Sequence, residues 1–163
     1  MRRIWSPWRM QYVQNSEPST ECVFCKVISD QDDEKNLVLF REENAIVMLN
    51  RYPYTSGHLM VIPMVHESSY EALNADVLQK IMVLVSHATQ VLRNVYHPDG
   101  FNMGVNIGTA AGAGIAEHVH FHIVPRWFGD NNFMTATADT RVLPERLEDT
   151  FVRLNAVWKQ IKG

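Results

Sequence analysis

Cysteine is nearly absent from this chain: two residues, Cys22 and Cys25, among 163. So few exclude a disulfide framework, and their placement in CVFC points to a thiol pair in a reducing compartment. Long apolar runs are missing too. No stretch reaches the ~20 apolar residues of a membrane-spanning helix. The opening MRRIWSPWRMQYV places Trp, Pro and Arg where a secretory signal needs an apolar core. The expectation is a cytoplasmic protein with no membrane partner. Net charge is also small, at −3, which supplies no basic footprint for duplex nucleic acid. No nucleic-acid partner is expected, while a small anion needs only local donors and stays open.

What is present is an ordinary globular composition, 46% hydrophobic and 20% charged, in a chain long enough to bury one core. A single domain over 1–163 is expected. Residues 1–21, with the polar run QNSEPSTE, read as an N-terminal tether. LVLFREENAIVMLN (37–50) reads as two strands about a turn at Arg41–Asn44. GHLMVIP (57–63) reads as a third strand. From Ser68 the period changes: Leu73, Val77, Ile81, Leu84, Ala88, Val91 and Leu92 recur at helical steps, with Ser68 or Ser69 as the cap and HPDG (97–100) as the stop. FNMGVNIG (101–108) and HVHFHIVP (118–125) read as strands joined by the glycine-rich GTAAGAGIAE. Residues 144–162 fit a final helix. The fold class predicted is α+β, an antiparallel sheet with one long helix packed on a face and a C-terminal helix.

Three of the seven histidines, His118, His120 and His122, crowd into five positions. On a strand they share one face, while Val119, Phe121 and Ile123 face a core. All three cannot easily serve one metal. Neighbours lie ~6.6 Å apart along a strand and the outer pair ~13 Å, against zinc–nitrogen bonds of about 2 Å. The preceding loop has the composition of a backbone-amide nest that lets an oxyanion approach. Together with Arg126 and imidazoles able to attack phosphorus, it outlines a phosphate cradle beside a nucleophile.

HVHFHIV (118–124) matches the pattern His-apolar-His-apolar-His-apolar-apolar. With NRYPYTSGHLMVIP (50–63), NIGTAAGAG and PRW, it resembles the histidine triad (HIT) family over roughly 22–130. The resemblance implies a HIT-like fold, with 22–130 as its core and 131–163 as a C-terminal extension carrying a helix. It also implies nucleotidyl hydrolases and transferases acting on nucleoside phosphates and dinucleoside polyphosphates. By that resemblance His120 is the nucleophile that forms a nucleotidyl-histidine intermediate, with His122 and His58 around the phosphates. Asn50 faces the ribose hydroxyls. Asn106 and the amides near Gly112, Ala113 and Gly114 hold phosphoryl oxygens, and Arg126 and Trp127 complete the substrate-binding set. The uridylyltransferase branch carries Gln where this chain has His122, which favours a hydrolase or phosphorylase. The loop departs from many relatives in placing five residues, AGIAE, between Gly112 and the first histidine, with no Ser, Thr or Gln. WSPWR together with PRWFGDNNFM (125–134) looks like the bacterial subgroup related to diadenosine tetraphosphate phosphorylases. Trp5, Trp8 and Trp127 could equally anchor a tail or a subunit contact, and a homodimer is expected. A nucleotide-binding regulatory module with little turnover is the rival reading.

The spacing in CVFC suits a zinc knuckle or a redox pair, but the βαβ surroundings of a redox pair are missing. In zinc-bearing members of the family the remaining ligands are a histidine shortly after the third strand and the first histidine of the triad. Here those positions are His66 and His118. The resemblance thus implies a structural zinc on Cys22, Cys25, His66 and His118. His120 and His122 are then left for substrate.

Overall fold

The computed structural model describes residues 21–130 and 145–161. The predicted tether up to residue 20, Trp5, Trp8 and the first part of the C-terminal extension lie outside the described residues. The elements in order are α1 (Val23–Ser29), α2 (Asp33–Asn36), β1 (Val38–Arg41), β2 (Ala45–Leu49), β3 (Leu59–Pro63), α3 (Ala75–Tyr96), β4 (Gly100–Val105), β5 (Phe121–Arg126) and α4 (Leu147–Trp158). The strands form one antiparallel sheet in the order β1-β2-β3-β5-β4. The chain leaves β3 through α3, reaches the far edge as β4, and returns to insert β5 between them.

α3 covers one face of the sheet. Val77, Ile81, Leu84, Ala88, Val91 and Leu92 are its buried stripe, and they pack on Val47, Leu49, Leu59, Val61, Val119 and Ile123. Complete burial of each large apolar side chain is worth about 1.5–3 kcal/mol, so this stripe supplies much of what holds helix to sheet. The C-terminal helix α4 joins the same core through Phe151, Leu154 and Trp158. Helix α3 starts later than its apolar period suggests. A 3-10 turn occupies Tyr70–Ala72, and Asn74, rather than Ser68 or Ser69, caps the helix by accepting from the Val77 amide.

The opposite face is covered at its β1–β3 end by α1, whose Phe24 and Val27 pack on Val38, Ile46, Met48, Met60 and Ile62. Sequence periodicity gives no sign of α1, because seven residues span only two turns. What fixes it is tertiary. The Arg41 guanidinium donates to the carbonyls of Val27, Ile28 and Asp30 at 2.9–3.0 Å and pairs with Asp33 at 2.8 Å, satisfying a helix end that would otherwise lack partners.

Gly57 introduces β3 at φ +78°, beneath α3, where an added Cβ would stand 3.0 Å from Leu92 and 3.2 Å from Tyr96. Only glycine meets both demands. Its position sets the next residue, His58, on the face opposite α3.

Candidate active site and metal centre

His58 is fully buried, and its Nε2 lies 3.0 Å from Nδ1 of His122 on β5. The Tyr54 backbone N–H donates to His58 Nδ1 at 3.2 Å. That bond leaves the ring proton on Nε2, which donates to His122 Nδ1. His122 must then carry its own proton on Nε2, directed away from His58. Burial holds both rings well below the ordinary histidine value of 6.5, with the mutual charge of the cluster adding to it. His58 falls to about 3 and His122 to about 4, so each is neutral at neutral pH and carries one proton. Neutrality and the fixed tautomers make a one-way donor chain, from Tyr54 to His58 to His122.

His120 sits 4.7 Å from His122, ring centre to ring centre, and is also buried. Its Nδ1–H donates to the His118 carbonyl at 2.9 Å, which leaves the lone pair on Nε2. Burial lowers its pKa as well. Phe24 of α1 packs against its ring at 4.9 Å.

The triad is not one continuous strand. β5 begins at Phe121, and His118–His120 precede it. His122 therefore belongs to the sheet ladder opposite Met60 and Gly104. His118 is turned elsewhere: its Nε2–H donates to the Pro63 carbonyl at 3.0 Å, and its Nδ1 lies 3.5 Å from Cys22 Sγ and 3.7 Å from Cys25 Sγ. His66 Nδ1 lies 3.1 Å from Cys25 Sγ. The four ligand atoms all lie within 4.8 Å of one another. A tetrahedron with Zn–S of about 2.3 Å and Zn–N of about 2.0 Å has edges of roughly 3.3–3.8 Å, so Cys22, Cys25, His66 and His118 fit zinc. A ligand histidine held by a backbone carbonyl through its other nitrogen is the usual supporting arrangement.

A cavity of about 260 Å³ opens beside His122, lined in part by Asn106 and Arg126. Arg126 is held by Asp130 and by Asn102 Oδ1. Asn50 follows β2 beside His58, its amide bonded to the His58 carbonyl and its Oδ1 accepting from Tyr52 N. In the glycine-rich loop, a 3-10 turn at Thr109–Ala111 directs the Gly112 and Ala113 amides to the carbonyls of Thr109 and Gly108. The amides of Gly114 and Ile115 have no partner among the described residues. Trp127 stands apart from the cavity lining, its indole donating to the Tyr96 carbonyl at the end of α3.

Tyr54 escaped the sequence reading. Its ring lies 4.6 Å from His58 and is stacked at 6.0 Å over His122, and it lines the cavity. Its only sequence signal is its place in NRYPYTSGH, four residues before His58. Phe24, between the two cysteines, was equally unmarked.

An antiparallel sheet presenting three proton-ordered histidines, His58, His120 and His122, beside a Cys2His2 cluster agrees with the family relationship. The chain belongs to the histidine triad family: residues 31–129 match the HIT domain. A relative from Mycobacterium tuberculosis named AP-4-A phosphorylase is 40% identical, over 97% of this chain and 85% of its own length. Among solved structures, a zinc-bound histidine triad family protein from Mycobacterium smegmatis is similar at a TM-score of 0.69 and 30% identity, covering 86% of this chain and 94% of that one. A hypothetical histidine triad nucleotide-binding protein from Sulfolobus tokodaii is similar at 0.68 and 25%, covering 85% and 93%. No helix among the described residues is long and apolar enough to cross a membrane.

Proposed function

We propose that this protein cleaves dinucleoside polyphosphates, such as diadenosine tetraphosphate, or related adenylyl compounds, as a hydrolase or phosphorylase working through a nucleotidyl-His120 intermediate. The observation that carries the reading is the proton order around the two histidines. His120 Nε2 holds a lone pair and His122 Nε2 holds a proton. In the first step His120 Nε2 forms a bond to the α-phosphorus while the bond to the bridging oxygen breaks. The electron pair departs with the leaving phosphates, and the His122 Nε2–H meets the charge that develops there. The His118 carbonyl steadies the imidazolium through Nδ1–H. In the second step water or inorganic phosphate attacks the phosphorus, the P–N bond breaks with its electron pair returning to Nε2, and the acceptor's proton passes to solvent.

Asn106 and the Gly114 and Ile115 amides are assigned to the phosphoryl oxygens, and Asn50 to the ribose of the transferred nucleotide. Zinc on Cys22, Cys25, His66 and His118 is assigned a structural role, tying α1 and its Phe24 to the segment that carries His120. Among the described residues the outer edge of β4 is unpaired, and Met103 on it and Met82 and Val83 on α3 are exposed. A homodimer using this edge fits that surface, and sedimentation of the wild type beside Met103→Lys reads it, the variant running as a monomer. The free thiols suit a cytoplasmic setting.

The deciding experiment incubates the protein with diadenosine tetraphosphate, with and without phosphate. Wild type turns over and His120→Ala loses at least about a thousandfold; equal rates sink the nucleophile assignment. The engagement of the Gly112 and Ala113 amides within the loop favours one alternative, a nucleotide-binding regulatory module. Tight binding without cleavage by the wild type would establish it.

A further inference from the structure

The face that carries His58, His120 and His122 is covered unevenly. α1 closes it over β1–β3, while the β5–β4 half remains open as the cavity beside His122. One end of that groove is Asn106 and His122, where the reacting phosphate is placed above. From there it runs past Gly104 and Val124 to Asn102 and Arg126, along paired residues of β4 and β5. Tyr54 is its side wall. The loop bearing Tyr54 is fastened across β5 by Thr55, whose hydroxyl donates to the Pro125 carbonyl at 3.0 Å.

The lining describes what would fit. The wall is Tyr54, a residue 44% exposed whose ring also lies against His58 and His122. The floor is low because position 104 is glycine: an added Cβ there meets nothing within 4 Å. Val124 makes the floor apolar. At the far end the Arg126 guanidinium is matched by the Asp130 carboxylate at 2.5 and 2.8 Å, so that end does not attract a phosphate. Arg126 also occupies Asn102 Oδ1 at 2.7 Å, which leaves the Asn102 amide N–H groups to meet a ligand's acceptor. An aromatic wall, a flat apolar floor and an amide donor at the end suit a planar heterocycle. The volume of about 260 Å³ lies under the ~300–1,000 Å³ of sites for drug-sized ligands, enough for one ring system rather than a whole nucleotide.

We propose that this groove binds the nucleobase of the departing nucleotide, the second base of a dinucleoside polyphosphate. The inference rests on the function proposed above and adds where the leaving half goes. Asn50, assigned to the transferred nucleoside, directly follows β2, and the groove lies over β5 and β4. From β2 to β4 is three strand spacings, about 14 Å. The two nucleosides therefore flank the His58–His122 pair, and the phosphate chain crosses between them. Tyr54 and Asn102 become determinants of preference for two-base substrates over nucleotides with one base.

The test compares diadenosine tetraphosphate with adenosine 5′-tetraphosphate, which keeps the phosphates and lacks the second nucleoside. Binding is measured by calorimetry in the His120→Ala protein, where no turnover intervenes. Gly104→Val, whose Cβ meets nothing within 4 Å and whose methyls fill the groove, and Tyr54→Ala, which removes its wall, are each expected to weaken the dinucleotide about tenfold, as loss of one base–aromatic stack does. Adenosine tetraphosphate should stay within about twofold, and Tyr54→Phe should restore the dinucleotide. Equal losses for both ligands, or no loss for either, overturn the proposal. If Gly104→Val fails to fold, the contrast between Tyr54→Ala and Tyr54→Phe decides alone. Cleavage by the wild type is assayed separately: discrimination in binding without any cleavage removes the proposed activity and leaves the groove assignment standing.

Discussion

His58 Nε2 and His122 Nδ1 lie 3.0 Å apart although 64 residues separate them in the chain. Because the Tyr54 amide fixes the His58 tautomer, this one bond dictates which nitrogen of His122 faces a ligand. Replacing His58 with Phe keeps a planar ring and removes the donor. We expect kcat on diadenosine tetraphosphate to fall about a hundredfold, the lower range for loss of a proton-handling group, with KM little changed. The double variant His58→Phe/His122→Ala should be scarcely worse than His122→Ala, since the two act as one unit. Additive losses in steady-state kinetics would show that His58 acts independently.

The same burial makes stability depend on pH. His58 and His122 have pKa values near 3 and 4 in the folded protein, against 6.5 ordinarily. Between those values the unfolded chain binds more protons than the folded one, so stability falls as pH falls through that window. Each histidine contributes up to about 1.4 kcal/mol per pH unit there. Urea unfolding at pH 7 and pH 4.5 should show wild type losing more stability on acidification than His58→Phe does. Identical losses would mean that the His58–His122 pair is not responsible.

Metal content separates the two sets of histidines. Zinc measured by atomic absorption should be near one per chain in wild type and in His120→Ala, and lost in Cys22→Ser. Removal of zinc should lower the melting temperature, because binding free energy at a closed site is folding free energy. Zinc retained by Cys22→Ser but lost by His120→Ala would reverse the division of labour.

At Gly57 two constraints coincide, a left-handed φ of +78° and a Cβ position 3.0 Å from Leu92. Gly57→Ala is expected to cost about 2–4 kcal/mol, combining backbone strain with overpacking. Denaturant midpoints measure this directly. A neutral substitution would mean that α3 shifts freely over the start of β3.

Much of this architecture is legible in local sequence because it is periodic. Three- and four-residue recurrence marks α3, and two-residue alternation puts Val119 and Ile123 into the core beneath it. The resemblance of HVHFHIV to the histidine triad supplied candidate residues, and the fold brings His58 to His122 and His66 to Cys25. Periodicity misled where the pattern outran the element: the triad looks like three positions of one strand, yet His118 and His120 lie ahead of β5. The short helix α1 left no trace, since a guanidinium from β1 rather than its own sequence holds its end.

By itself, then, the sequence determined which faces are apolar, where chemistry-bearing residues cluster, and which family the chain resembles, because side-chain period and motif are properties of neighbouring residues. Only the tertiary structure decided that the Cys22/Cys25 pair meets His118 across more than ninety residues, that Tyr54 stands over His122, and which imidazole nitrogens carry protons. Those outcomes depend on antiparallel register and on backbone N–H and C=O groups brought in from distant strands, and such groups are common to nearly all residue types and leave no mark in the sequence.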